Sequence, residues 1–430
     1  MFCVYAILVH LAFLLLLPML LLHPKLREGF WARLGRLPPG WPGLPRRPVV
    51  WAHGASAGDL LALEPILQEL AGLRPDAAVL LTTVTDSGMA VARRGLVRAD
   101  AVGYLPYDLP WAAGRVMRAV RPDVLVLEYA EVWPALLRAA RRVGARVVLT
   151  NGRFHERALG RYRLLYRLIG NPLRHLDALC MRSEEEVAHA VAIGADPARV
   201  RALGNSKFDR CAADARSAEV PPALGAALGH TPESLWLVAG STHEGEEAGL
   251  LDLFARLRAS RPALRLLVAP RYLGRVGRVL ALARERDLPA ARRTLGAGAE
   301  PVVVLDTLGE LAQVYALAAV VFVGGSLVER GGQNILEPAA RGRPVLFGPH
   351  MENFQDSVQV LLGRGGLQVP DLEQLELTLA RLLDDPQARD RLGALAAESV
   401  RAVQGGSRRM AEVIAGFLPA ATGASAGGAR

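Results

Sequence analysis

The chain opens on an almost unbroken apolar run. Residues 1–22 carry no formally charged side chain and one histidine. About 20 apolar residues span a bilayer core. The run lacks the basic n-region and small-residue cleavage site of a secretory signal. Residues 1–23 are therefore expected to form an uncleaved, single-pass transmembrane anchor. Lys25, Arg27, Arg33 and Arg36 follow closely, and by the positive-inside rule they keep the rest of the chain in the cytoplasm.

From residue 48 the pattern changes. Short apolar runs at 48–52, 77–83, 101–106, 123–128, 145–151 and 177–181 alternate with amphipathic stretches such as 111–120 and 130–143. Continuous apolar strands separated by helices predict a parallel sheet covered on both faces. A polar stretch at 210–234 contains Pro221 and Pro222. The pattern then restarts at 234–240, 264–270, 301–306, 319–325 and 344–348. The predicted fold is α/β, with two Rossmann-like domains facing a cleft, the GT-B arrangement of glycosyltransferases and their relatives. The expected division is an anchor at 1–23, a first Rossmann-like domain at 36–212, a linker at 213–233, a second Rossmann-like domain at 234–419 and a disordered tail at 420–430.

Composition narrows the function. With 51% apolar and 22% charged residues, the chain is neither disordered nor a pure membrane bundle. Three cysteines without metal-finger spacing exclude a disulfide scaffold and a zinc module. The net charge is +9, but the arginines are spread through helical segments without a basic arm or an aromatic-rich motif. Nucleic acid is therefore not the expected partner, whereas anionic lipid or a phosphorylated substrate is. Of 51 Lys plus Arg, only Lys25 and Lys207 are lysine, which singles out Lys207 as a compact point charge for substrate.

The candidate chemistry lies just after the strands, where open α/β sheets bind ligands. His53, Ser56, Gly58 and Asp59 form a short loop opening a helix. Asp59 is either a favourable charge at a helix N-terminus or a general base for a sugar hydroxyl. Glu131, Trp133 and Pro134 read as a capped helix start or as part of the same site. Asn151 and Arg153 suit an anionic acceptor. In the second half, Ser241, Thr242 and Glu246, then Arg271, then Gly324, Gly325 and Ser326, and finally Asn334 and Glu337 lie on successive loops. Their glycines, hydroxyls and helix starts suit phosphate, and Glu337 suits a ribose diol.

Taken together, these motifs resemble the 3-deoxy-D-manno-octulosonic acid (Kdo) transferase family. The likeness runs from Arg33-Leu34-Gly35 through the His53/Ser56/Gly58 loop, Thr82-Thr83-x-Thr85, Leu105-Pro106-Tyr107-Asp108 and Glu131-x-Trp133-Pro134. It continues in Gly204-Asn205-x-Lys207-Phe208-Asp209, Ser241 to Glu246, Pro270-Arg271, Gly324-Gly325-Ser326, Asn334-x-x-Glu337-Pro338 and Gly348-Pro349-His350. The resemblance implies an inverting, metal-independent transfer of Kdo from CMP-Kdo to a lipid A precursor at the inner membrane, without a cofactor. It puts the base on Asp59 and the donor site on Ser241, Thr242, Arg271, Gly325, Ser326, Asn334 and Glu337. Thr83 and Glu131 then fall on the acceptor or cleft side. Four positions depart from the family pattern. Asp59 replaces Glu, Tyr129 replaces the first Glu of Glu-x-Glu-Leu-Trp-Pro and leaves Glu128 one place early, Tyr272 replaces His, and Gln333 replaces His. Two other readings stay open on those departures: a relative using another nucleotide sugar for an envelope glycolipid, and a catalytically silent glycolipid-binding relative.

Overall fold

A computed structural model of the chain describes residues 1–22, 28–38, 40–44, 47–210 and 220–420. Lys25, Arg27, Cys211, linker residues 213–219 and tail residues 421–430 lie outside the described residues. The chain forms two compact units. The first comprises Met1–Asp209 and the segment from Gly405 onward, and the second Arg210–Gln404.

The first unit holds a parallel sheet of seven strands: β1 (Val49–His53), β2 (Ala78–Thr83), β3 (Ala101–Tyr104), β4 (Val124–Glu128), β5 (Arg146–Gly152), β6 (Ala178–Met181) and β7 (Val200–Ala202). Their order is β3-β2-β1-β4-β5-β6-β7, a doubly wound sheet whose direction of winding reverses between β1 and β4. Strand residues alternate between two buried faces. Trp51, Leu125, Leu127 and Leu149 belong to one core layer. Val50, Ala52, Val124 and Val126 belong to the other, with Leu63 and Ile66 of the helix Ala57–Leu73. Each fully buried Val, Leu or Ile among these contributes roughly 1.5–3 kcal/mol.

The second unit repeats the plan with β8 (Leu235–Thr242), β9 (Leu264–Pro270), β10 (Ala290–Arg292), β11 (Val302–Val304), β12 (Ala318–Val323), β13 (Val345–Phe347) and β14 (Gly366–Gln368). The order is β10-β11-β9-β8-β12-β13-β14, so the switch lies between β8 and β12. Two parallel, doubly wound sheets give the α/β, GT-B-type fold expected from the apolar pattern. The edge strands β7, β10 and β14 did not stand out in that pattern. Each has only three residues and is only partly buried, so none needs an apolar run.

Two segments fall differently from the expected division. The helix Pro222–Ala227, inside the expected linker, belongs to the second unit, where Leu224 is buried. The chain also leaves that unit after Gln404, so 405–419 is not its C-terminal end. The helix Gly406–Gly416 instead packs beside Ala57–Leu73, burying Met410, Ala411 and Ile414 in the first unit's core. Asp209 secures this return, accepting hydrogen bonds from the Gly405 N–H (2.5 Å) and the Ser407 N–H (2.7 Å). A carboxylate on the free N–H groups of a helix start is favoured by charge and by hydrogen bonding.

Residues Phe2–Leu22 form one helix of 21 residues with mean hydropathy 2.5, long and apolar enough to cross a membrane.

Candidate active site

In the first unit the candidate residues gather at the switch between β1 and β4. Asp59 sits in the first turn of the helix Ala57–Leu73, and its Oδ2 accepts from the Ser56 N–H (2.8 Å) and Ser56 Oγ (3.0 Å). The helix-cap reading of Asp59 is thus realised, and it leaves the second oxygen in place for chemistry. Oδ1 has no hydrogen bond among the described residues. Gly58 is exposed, and a Cβ there would make only ordinary contact with Ser56. His53 is fully buried, with Nδ1 at 3.1 Å from the Thr82 carbonyl. Its Nε2 points at Glu131 Oε2, 3.6 Å away, beyond hydrogen-bond length. Glu131 also accepts from the Trp133 indole N–H at 2.9 Å. Thr83 is structural, its hydroxyl donating to the Ala55 carbonyl (2.9 Å) and holding the loop before Asp59.

Glu128, at the end of β4, was not among the expected site residues. It is fully buried, accepting from Thr150 Oγ1 (2.6 Å) and Asn151 Nδ2 (2.7 Å). Asn151 is held in the left-handed region (φ 48°). It also donates to Ser206 Oγ (2.7 Å), and Ser206 Oγ donates to the Ala62 carbonyl (2.6 Å) on the helix of Asp59. This chain of bonds joins two strand ends, the 205–209 segment and the Asp59 helix. Burial pushes the Glu128 carboxyl up to about 8 against the bonds from Thr150 and Asn151; Asp59 raises it further and Lys207 lowers it. Asp59 and Lys207 are thus both within electrostatic reach of Glu128. Lys207 stands 5.3 Å from the Tyr129 ring centroid, and Arg153 lies 3.8 Å from Glu186. Glu128 was hard to find because Tyr129 occupies the motif position, leaving the carboxylate one place out of register.

The raised Glu128 value has a consequence for stability. Between its ordinary value and about 8 the folded chain holds one proton more than the unfolded chain, so this group lowers stability as pH rises through that window. Each pH unit crossed costs up to about 1.4 kcal/mol. Glu128→Gln removes the titration and keeps an acceptor for Asn151. Its melting temperature, measured against the unmodified chain, is expected to gain steadily from pH 5 to pH 8. A difference that stays flat across that range would refute the assignment.

In the second unit the switch between β8 and β12 is bridged by Glu246. Its fully buried carboxylate accepts from the backbone N–H groups of His243 (2.9 Å), Gly325 (2.8 Å), Ser326 (3.1 Å) and Leu327 (3.0 Å). This corrects the reading of the glycine loop as a phosphate cradle. Those N–H groups already hold an internal anion, and a Cβ on Gly324 would stand 2.6 Å from Thr242 Cα and 2.8 Å from Glu246 Oε2. Ser326 is buried too, its Oγ donating to the Val323 carbonyl (2.5 Å) and accepting from the Gly348 N–H (2.8 Å).

Two buried polar groups left without partners lie one loop away. Among the described residues, the buried atoms Thr242 Oγ1 and His243 Nε2 have no hydrogen-bond partner. They follow Ser241, which is held at φ 55° where the β8–β9 register shifts, a bulge that re-aims the side chains after it. Burial holds the His243 imidazole below its ordinary value; Arg330 and Arg271 lower it further, against Glu246. The ring is therefore neutral near pH 7. Both arginines are exposed, and neither is ion-paired to a carboxylate among the described residues. A neutral imidazole, a hydroxyl and two guanidinium groups make a site for an anion. Asn334 donates to Glu337 Oε1 (2.9 Å) and accepts from the Leu336 N–H (3.0 Å), a rigid pair at the next helix start. Arg330 and His243 were missed as site residues; His243 lies inside a motif already singled out, and Arg330 lies between two of them.

Residues 28–210 match the family model described as 3-deoxy-D-manno-octulosonic-acid transferase (kdotransferase). The chain is 33% identical over 401 residues to the 3-deoxy-D-manno-octulosonic acid transferase of Bordetella pertussis, covering 90% of this chain and 91% of that one. The chain belongs to the Kdo transferase family. The Haemophilus influenzae member is 27% identical over 374 residues, covering 86% and 87% of the two chains. In fold alone, the chain is similar to UDP-GlcNAc 2-epimerase of Neisseria meningitidis, at TM-score 0.59 and 11% identity, over 86% of this chain and 99% of that one. A Kdo transferase is a glycosyltransferase, and Asp59 in the first unit and the His243 loop in the second are each taken up below.

Proposed function

We propose that this Kdo transferase moves Kdo from CMP-Kdo to a lipid A precursor, with inversion, at the cytoplasmic face of the inner membrane. The observation that carries the reading is the match over nine-tenths of a 3-deoxy-D-manno-octulosonic acid transferase. The N-terminal apolar helix supports membrane attachment, and the arginine-rich chain supports an anionic surface and acceptor. The acceptor hydroxyl attacks the anomeric carbon as the bond to the CMP phosphate breaks. CMP leaves with the bonding pair, and Asp59 Oδ1 takes the hydroxyl proton. Thr242, His243, Arg271 and Arg330 receive the departing phosphate. Asn334 and Glu337 hold the ribose, and Ser241 shapes the loop. Glu131, Lys207 and Arg153 serve the acceptor side, while the buried Asn151 ties the end of β5 to Glu128 and Ser206. The reaction as proposed uses no metal and no cofactor.

The test is mass spectrometry of the lipid products after purified chain is given CMP-Kdo and a lipid A precursor. Addition of Kdo is expected, and an unmodified lipid together with intact donor would overturn the reading in favour of a silent relative. The departures at Asp59, Tyr129, Tyr272 and Gln333 favour, as a second reading, another nucleotide sugar. Thermal shift with CMP, UDP and GDP separates the two. CMP is expected to stabilise, and His243→Ala/Arg271→Ala is expected to lose about 10-fold or more in CMP affinity. Stabilisation by UDP or GDP alone would transfer the proposal to that donor.

A further inference from the structure

The N-terminal helix is apolar all round, yet it has two distinct sides. Phe2, Tyr5, Ala6, Val9, His10, Phe13, Leu17 and Leu20 are half-buried, and the positions between them are exposed. That spacing is one stripe of a helix lying lengthwise on a surface. The surface belongs to the first unit. The Tyr5 hydroxyl donates to the buried Asp108 carboxylate. Asp108 also accepts from the Ala135 and Leu136 N–H groups (3.0 and 2.8 Å). The Phe2 ring lies 4.5 Å beneath the Arg138 guanidinium, and the Phe13 ring packs on Tyr107 with centroids 5.5 Å apart.

These anchors run from Phe2 to Phe13, about 18 Å of helix at ~1.5 Å per residue. The nine residues beyond, 14–22, extend only about 14 Å, less than half of a ~30 Å hydrocarbon core. A helix that crossed the bilayer with its start on the far side would have to leave Asp108, Tyr107 and Arg138. The exposed side still needs apolar cover: Ile7, Leu11, Leu14 and Leu15 are 58–82% exposed. The neighbouring helix Leu159–Ile169 packs on the same N-terminal helix. It exposes Leu164, Leu165 and Leu168, while Arg161, Arg163 and Arg167 of the same helix are also exposed. An apolar face bordered by arginines is the chemistry of an interfacial helix in an anionic leaflet.

We propose that the chain is attached monotopically: the N-terminal helix stays docked on the first unit, and its outer side, together with Leu164, Leu165 and Leu168, enters one leaflet of an anionic bilayer instead of crossing it. This replaces the single-pass expectation and does not depend on the sugar transferred.

Two measurements test it. First, an epitope tag is added before Met1 of the full chain and protease is applied to intact spheroplasts and then to lysed ones. The tag is expected to be cut only after lysis, because it stays on the side of the catalytic units. Cutting in intact spheroplasts would overturn the proposal. Second, the purified full chain and its Leu164→Glu/Leu168→Glu variant are partitioned onto phosphatidylethanolamine–phosphatidylglycerol vesicles. Circular dichroism checks that the variant is folded. At least ~10-fold weaker partition is expected for the variant. Unchanged partition, with or without loss of a dimer on size exclusion, would overturn the proposal, and loss of a dimer would assign the leucines to a second copy of the chain.

Discussion

Asp59→Asn is expected to lower Kdo transfer by roughly 10²–10⁴-fold, the usual worth of a general base, while leaving the fold and CMP binding as they were. Asparagine is nearly isosteric and keeps an oxygen for the Ser56 N–H, which donates to Asp59 at 2.8 Å. The helix start should therefore survive, and the melting temperature should move by less than about 2 °C, as expected when no cap is lost. CMP affinity should not change, because the proposed phosphate site at Thr242 and His243 lies in the other unit. Turnover retained within a few-fold would remove Asp59 from the mechanism. Asp59→Glu adds a control, since it restores the residue that the family pattern carries. If the shorter side chain holds its reacting oxygen about 1 Å back, glutamate should raise turnover, and misplacement of that size is worth up to ~10²-fold. If the backbone has already adjusted to aspartate, glutamate should lower it. Either result with an inactive Asn variant keeps the carboxylate at the reacting atoms.

The architecture was legible in the sequence because parallel strands buried on both faces must be apolar without interruption. Val49–His53 and Val124–Glu128 are buried at every position, and such runs separated by amphipathic helices allow few other folds. Candidate loops were legible for a similar reason, since a doubly wound sheet brings the ends of β1 and β4, and of β8 and β12, to a switch point. What each loop residue bonds to was not legible. Glu246 lies 79 residues before Gly325, and nothing local in Gly-Gly-Ser shows that its N–H groups are already taken by a carboxylate. Asp209 and Gly405 meet across 196 residues, so the return of the last helix could not be seen in a chain read segment by segment. The N-terminal helix is the clearest instance. Its composition is that of a membrane span, and only the half-buried stripe from Phe2 to Leu20 shows that one side faces protein.

Glu246→Ala is expected to cost about 3–5 kcal/mol of stability in the second unit, several buried N–H donors left unsatisfied less what entering water restores. Four backbone N–H groups, those of His243, Gly325, Ser326 and Leu327, would lose their acceptor together. A buried donor left unsatisfied costs about 1–3 kcal/mol, offset where water can enter the space vacated. For a unit of this size the melting temperature should fall by about 10 °C, read by calorimetry on the full chain. Glu246→Gln is the sharper variant. It fills the same volume, but one of its two ends is an amide NH2 facing N–H donors, so it is expected to recover only part of the loss. The result also separates two roles for this residue. Were Glu246 a direct ligand of the nucleotide, Glu246→Ala would weaken CMP binding and leave the melting temperature unchanged. With Glu246 as the internal anion of the glycine loop, stability falls first. CMP affinity then falls with it, because His243 and the loop after β12 lose the carboxylate that holds them together.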